Sequence, residues 1–130
     1  METISLQTKD ANITVSKKLI TEESNLIRNL IESCESQDNP LESVPLQSVD
    51  TAHLKFIVDF LNSETLEDKK KMIIELIDID LYRLAPILCA ADFLGFGENS
   101  EFIKICVQEI ANAVFKMTDE DKEIFFKALE

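Results

Sequence analysis

The sequence predicts a small α+β protein in which a short sheet comes first and helices form most of the remainder. Near the N-terminus apolar and polar residues alternate, a pattern typical of half-buried strands. Further on, apolar residues recur every three or four positions, as they do on one face of a helix. Within this helical part, residues 84–96 are almost wholly apolar and carry one aspartate, Asp92. The 130 residues allow one domain, or a small domain with an appendage.

The composition favours a protein that works inside the cell and binds neither nucleic acid nor membranes. There are 25 acidic and 13 basic residues, and the formal net charge of −12 repels phosphates and anionic lipids. The odd number and the wide spacing of the cysteines predict reduced, buried and inert thiols. The first residues include Glu2 and no apolar run, so we expect no secretory signal and place the protein in the cytoplasm or nucleus. The cysteines are Cys34, Cys89 and Cys106.

The first elements are a β-hairpin and a helix. Ile4 and Leu6 alternate with polar residues, and after a polar turn at residues 9–12 the alternation resumes at Ile13 and Val15, which predicts two paired strands. Ser24 is a suitable N-cap for the helix that follows. The predicted core face of this helix carries Leu26, Ile27, Leu30, Ile31 and Cys34.

A polar loop, a short strand and a second helix come next. Residues 35–43 are polar, and residues 44–46 have room only for a short strand, which Pro45 would place at the edge of the sheet. Asp50 then caps a helix with one core stripe and two phenylalanines beside it. The stripe is Leu54, Ile57, Val58 and Leu61, and the flanking residues are Phe56 and Phe60.

The middle of the chain contains an exposed insert and the apolar run. Residues 62–71 include three consecutive lysines and few apolar residues, which predicts an exposed insert. Residues 73–79 fit either a strand or the entry to the next helix. The run at 84–96 is too short to span a bilayer, which takes about 20 apolar residues. We therefore expect a central helix that is covered by protein on all sides.

Two helices close the chain. Asn99 or Ser100 starts the first, whose apolar face is extended by Phe102 and Phe115. Residues 118–121 resemble a capping box and open the second, which must fold back on the domain, pair with another copy, or await a partner. The face of the first helix carries Ile103, Cys106, Val107, Ile110 and Val114, and the second helix carries Ile124, Phe125, Phe126 and Leu129.

The residue types that carry chemistry do not occur in productive patterns. The single histidine, His53, has no cysteine or second histidine near it in sequence, and two glycines are too few for a phosphate-binding loop. The carboxylates fall mainly on polar faces and loops, where solvation explains them. We therefore expect a protein that is not an enzyme and has no catalytic residues, no metal site and no cofactor.

Four segments resemble the Skp family, the S-phase kinase-associated adaptors of SCF ubiquitin ligases, which have a BTB/POZ fold. They occur in the family's order and cover essentially the whole chain. The resemblance implies a BTB/POZ domain at residues 1–97, with a small three-stranded sheet and helices, and a C-terminal helical extension at residues 98–130. The segments are Ile4–Gln7 with Asp10; Val44–Leu46 with Val49, Leu54 and Lys55; Ala90–Leu94; and Ile110–Asn112 with Thr118.

The same resemblance implies a non-enzymatic adaptor that links the N-terminal domain of a cullin to F-box substrate receptors. Asp92 and Phe93 occupy the positions that contact the cullin, and both differ from the family's usual residues. The C-terminal helices would receive the F-box by burying apolar side chains in a groove. The residues that match this region are Ile103, Cys106, Ile110, Val114 and Phe126.

Two other interpretations of the fold stay open. An elongin-C-like adaptor would bind a short receptor helix, but such proteins usually end soon after the central helix, so residues 100–129 favour the Skp type. A BTB module without a role in ubiquitin ligases would form a homodimer through its C-terminal helices. The Skp family usually continues through two further helices. The 130 residues thus imply a reduced receptor interface, a truncated chain, or a C-terminal surface that pairs with itself.

Overall fold

The computed structural model describes residues 2–35 and 42–128. Most of the predicted polar loop and Leu129 lie outside these residues. The predicted α+β class is confirmed, because three strands form one sheet and helices make up most of the described chain. A turn of 3₁₀ helix, Leu81–Arg83, precedes α5. The bounds are β1 Thr3–Gln7, β2 Asn12–Ser16, α1 Lys17–Glu23, α2 Asn25–Glu35, β3 Ser43–Pro45, α3 Thr51–Asn62, α4 Leu66–Asp80, α5 Leu84–Phe93, α6 Glu101–Phe115 and α7 Asp119–Ala128.

The sheet has the strand order β2-β1-β3 and follows the predicted alternation. β1 and β2 form the expected antiparallel hairpin, in which Ile4 pairs with Val15. β3 runs parallel to β1 and pairs Val44 with Leu6. Pro45 lies on this outer strand, as predicted, where its missing N–H does not interrupt a ladder. One side of the sheet is buried because Ile4, Leu6, Val15 and Val44 all point into the core.

The first two helices differ in part from the prediction. α1 was not predicted. Ser16 caps it by accepting a hydrogen bond from Leu19 N at 3.4 Å. Ser24 caps α2 as expected and accepts from Ile27 N at 3.1 Å. The buried stripe of α2 is narrower than predicted, because Ile27 and Ile31 alone are buried in this surface helix, whereas Leu30 is exposed.

Most of the predicted insert belongs to α4. Thr65 Oγ1 accepts from Asp68 N at 3.1 Å, and Asp68 lies in the first turn, where the helix dipole favours an acidic residue. Lys69 Nζ lies 2.6 Å from Glu101 Oε1 and 5.6 Å from the centre of the Phe60 ring. Residues 73–79, whose sequence fits either a strand or a helix, are helical as well. The predicted exposure of residues 62–71 is confirmed, since all of them except Ser63 and Lys69 are exposed. Most of the segment is nevertheless the start of a helix that contacts α6, which the local composition does not show.

Three phenylalanines, one from α3, one from the segment after α5 and one from α6, pack together. Phe60 and Phe102 are fully buried, and their rings meet edge to face with centroids 4.9 Å apart. The rings of Phe96 and Phe102 also meet edge to face, with centroids 5.9 Å apart. The sequence predicted Phe60 as a flanking residue, but α6 covers it and makes it part of the core. The start of α6 is therefore packed into the same core as the sheet.

The cap of α3 provides a test of the local structure. Asp50 accepts hydrogen bonds from Ala52 N at 2.9 Å and His53 N at 3.4 Å. We expect Asp50→Ala to lower the free energy of unfolding by about 1 kcal/mol, because these helical N–H groups lose their partner. Urea denaturation followed by circular dichroism measures this change. Asp59→Ala, at an exposed position of the same helix, is the control, and an equal loss in both variants would contradict the assignment.

Candidate functional site: an apolar groove and the exposed end of α5

The central helix is not covered on all sides. Its inner side packs on α3 and is buried, as expected for the core. Its outer side is exposed at Pro86, Cys89, Asp92 and Phe93. The prediction of complete burial was wrong because α3 packs on one side of α5 and leaves the side with Pro86, Cys89, Asp92 and Phe93 exposed. An apolar helix with a solvent-facing side indicates a contact surface.

A groove lies where α5, α6 and α7 meet. We call it the C-terminal groove. Its volume is about 670 Å³, and Lys122 is the one charged residue among the described residues that line it. Such a lining suits apolar side chains that enter from a partner. The lining residues are Leu81, Tyr82, Leu84, Ala85, Leu88, Val107, Ile110, Ala111, Val114, Phe115, Lys122, Phe125 and Phe126.

The groove exists because only the first half of α6 packs into the core. The first half of α6 buries Phe102, Ile105 and Cys106 in the core. The second half has nothing comparable to pack against, so Val107 is 58% exposed and Phe115 is 87% exposed. The predicted apolar face of α6 therefore divides into a buried half and a half that forms one wall of the groove.

The residues that the resemblance assigns to receptor binding do not all lie together. Ile110, Val114 and Phe126 line the C-terminal groove. Ile103 is half-buried against the core, outside the groove, and Cys106 is fully buried. Three of the five residues are therefore placed to meet a partner in this groove.

Several groove residues were not singled out from the sequence. Leu81, Leu84, Ala85 and Leu88 form one wall and follow the spacing i, i+3, i+4 and i+7. This periodicity is hard to recognise in a run that is apolar at nearly every position. A polar residue on only one side of α5 would have revealed it.

Asp92 and Phe93 lie together at the C-terminal end of α5, and both are exposed. Phe93 exposes 53% of its surface. The helix ends immediately afterwards at Gly95, whose φ of 77° suits glycine. Gly95 N donates to Asp92 O at 2.9 Å, and Phe96 N donates to Ala91 O at 3.0 Å. These two bonds form a Schellman motif, which fixes the direction of the chain after Phe93.

The end of α5 is also tied to the start of α2. Ser24 is fully buried, and its hydroxyl donates to Leu94 O at 2.5 Å. Leu26 N donates to the same carbonyl oxygen at 3.2 Å, and Asn25 N donates to Gly95 O at 3.3 Å. A Cβ atom at position 95 would lie 3.2 Å from both Asn25 Cβ and Leu26 N. The Asp92 and Phe93 side chains therefore project from a well-fixed backbone.

The three cysteines have different environments, contrary to the prediction that all are buried. Cys106 is buried, Cys34 is half-buried and Cys89 is exposed on the outer side of α5. Desolvation by burial raises the pKa of the Cys106 thiol to about 12. This thiol therefore stays protonated at any pH well below 12, and a protonated thiol is a poor nucleophile.

Thiol labelling tests these environments. At pH 8 we expect iodoacetamide to modify Cys89 in the folded protein and to leave Cys106 unmodified until the protein unfolds, because the reactive species is the accessible thiolate. Peptide mass spectrometry after timed labelling measures each site. A Cys89→Ser variant that lost no rapid labelling would contradict this order.

Neither a metal centre nor a membrane span is found in the described part of the chain. Across residues 2–35 and 42–128, no cluster of three or more His, Cys, Asp or Glu side chains could hold a metal ion. No helix in these ranges is long and apolar enough to cross a membrane. His53 is half-buried in α3.

Comparison with protein-family models and with curated proteins finds no match to this chain. The C-terminal groove and the exposed end of α5 are therefore the features from which a function is inferred. The groove is apolar, and the exposed end of α5 carries one aromatic ring and one carboxylate.

Proposed function

We propose that the protein is a non-enzymatic adaptor of the Skp type that links a cullin to F-box substrate receptors in the cytoplasm or nucleus. The observation that carries this proposal is the C-terminal groove, whose described lining is apolar except for one charged side chain, that of Lys122. Grooves of this kind bind amphipathic helices, which insert side chains at the spacing i, i+3, i+4 and i+7. An F-box helix would bind in this way.

The architecture is compatible with a BTB/POZ fold. A three-stranded sheet with helices is what the resemblance implies for residues 1–97. The proposed domain boundary at residue 97 falls between α5 and α6. The Lys69–Glu101 ion pair and the Phe60–Phe102 contact join the start of α6 to the first part of the chain. The extension would therefore hold its receptor at a fixed position relative to the domain.

We assign cullin binding to the exposed end of α5. The ring of Phe93 offers an apolar contact that can be buried at little conformational cost, since a phenylalanine side chain has only two rotatable bonds. Asp92 beside it adds a negative charge that would favour a basic or hydrogen-bond-donating partner surface. The tight link between α5 and α2 keeps both residues in place before binding.

Co-elution with a cullin N-terminal domain tests the proposal. We expect the two proteins to elute together, and we expect Phe93→Ala to weaken the complex at least about tenfold, as for other buried aromatic contacts. Ile124→Ala, which truncates an exposed apolar residue in α7, should bind the cullin as the unmodified protein does. Separate elution, or equal affinity for the Phe93→Ala variant, would contradict the assignment.

Self-association is the second candidate, and the exposed apolar residues of the C-terminal helices favour it. Phe115, Ile124 and Phe126 each expose more than half of their surface. Two copies related by a twofold axis could cover these residues mutually. Light scattering during titration with an F-box peptide separates the candidates, because a stable dimer that ignores the peptide would support self-association. An elongin-C-like adaptor would instead bind a single short receptor helix.

A further inference from the structure

Phe125 is the residue that buries α7 against the rest of the protein, and Lys122 adds a cation–π contact, with its Nζ 5.9 Å from the centre of the Phe115 ring of α6. Phe125 is 5% exposed and is the single buried residue of α7 among those described. Its ring lies 5.9 Å from that of Tyr82, in the turn that precedes α5. Between the described residues, no hydrogen bond or ion pair joins α7 to another helix or strand. Phe125 also lies outside the main core cluster.

The helical state of α7 depends on this contact. Its ten residues are fewer than the roughly 12–15 that an isolated helix needs to be marginally stable in water. Thr118 Oγ1 caps it by accepting from Asp121 N at 3.2 Å, which supports only the first turn. We therefore expect α7 to lose its helical hydrogen bonds when Phe125 leaves its contact.

α7 also limits the space for a partner. Lys122, Phe125 and Phe126 form one wall of the groove, opposite the walls formed by α5 and α6. Phe125 is buried against Tyr82 and lines the groove, so its ring fills space that a partner's apolar side chain would otherwise enter.

We propose that α7 is an autoinhibitory segment, which occupies part of the C-terminal groove through Phe125 and leaves it when a partner helix enters. The closed state is the one described above. In the open state α7 is unfolded, and the apolar surfaces of α5 and α6 are continuous. The inference rests on the proposed function for the identity of the helix that displaces α7, and it leaves Ile110 and Val114 on α6, but not Phe126 on α7, as contacts of that helix.

Hydrogen exchange tests whether Phe125 holds α7. In the full chain we expect Phe125→Ala to lower the protection of the α7 amides about tenfold or more. The reason is that burying a phenylalanine side chain contributes more free energy than a tenfold change in an equilibrium constant requires. The amides of α3 and α5 should stay protected. Alanine favours helices, so lower helix propensity cannot explain the loss. Ile124→Ala, next to Phe125 but exposed, is the matched control. Equal protection in both variants, or an unprotected α7 in the unmodified protein, would overturn the proposal.

Two optical measurements test whether α7 covers the groove. The chain has one tyrosine and no tryptophan, so its intrinsic emission reports on Tyr82 alone. Phe125→Ala should raise both the binding of the dye 1-anilinonaphthalene-8-sulfonate and the quenching of Tyr82 by acrylamide. Glu123→Pro, which interrupts α7 at an exposed position, should have the same two effects. If dye binding and acrylamide quenching increased in neither variant, α7 would not cover the groove.

An F-box peptide distinguishes this inference from the proposed function. If α7 competes with the receptor helix, Phe125→Ala binds the peptide more tightly than the unmodified protein does, whereas Ile124→Ala binds it equally. Weaker binding by Phe125→Ala would overturn competition and make α7 part of the binding surface. If neither protein binds the peptide, the proposed receptor is wrong, and the dye and exchange measurements still decide whether α7 covers the groove.

Discussion

Phe102→Ala is expected to lower the free energy of unfolding by about 3–5 kcal/mol, the range for removing a buried phenylalanine ring from a packed core. Phe102 is fully buried in contact with Phe60 and Phe96, and its ring joins the start of α6 to the rest of the core. Its loss would leave a cavity where three rings now meet. Urea denaturation followed by circular dichroism measures the change, and a marginally stable protein would be largely unfolded by it.

Phe115→Ala is the matched control for this prediction. It makes the same truncation in the same helix, but Phe115 is 87% exposed. We expect its free energy of unfolding to change by no more than about 0.5 kcal/mol, as for most surface substitutions. If the two variants lost equal stability, the division of α6 into a buried half and an open half would be incorrect.

Val114→Asp is expected to weaken the binding of an F-box peptide by about a hundredfold or more. Val114 lines the C-terminal groove, and a bound helix would bury the new carboxylate without a partner, at a cost of several kcal/mol. Isothermal titration calorimetry with the peptide measures the change. The fold should remain intact, because Val114 lies outside the buried core cluster.

Asn112→Asp provides the control for charge. It adds one negative charge to the same end of α6, at an exposed position outside the groove. Both variants place a carboxylate near the C-terminus of a helix, so any effect of the helix dipole is common to them. Equal loss of peptide binding in both variants would mean that the receptor does not use the groove. Full binding by Val114→Asp would mean the same.

Local signals predicted the hairpin and most helix starts correctly. Alternation at Ile4 and Leu6 identified a strand because successive side chains point to opposite faces of a sheet. Ser24 and Asp50 were recognised as caps because a side-chain oxygen satisfies N–H groups within three residues. The start of α6 was narrowed to Asn99 or Ser100, and Ser100 is the residue that caps it. These interactions span few residues, so they are visible in the sequence itself.

Contacts between distant residues account for the predictions that failed. Lys69 lies in a charged segment, and its role becomes evident only when Glu101 and Phe60 lie next to it. The sequence predicted that Phe60 flanks a core stripe, whereas in the structure Phe102 of α6 covers it and it is fully buried. In the candidate site, the predicted residues Ile110, Val114 and Phe126 come together, whereas Cys106 is buried because the start of α6 faces inward.

The sequence by itself determined the α+β class, the hairpin and the edge position of Pro45. It also singled out Asp92 and Phe93 at the end of the apolar run. The tertiary structure alone decided that α5 has an exposed side, that α6 is buried in its first half only, and that Phe125 is the buried residue of α7 among those described. The physical reason is the range of the interactions. Backbone pairing patterns and caps depend on near neighbours, whereas burial depends on which distant helix covers a given side chain.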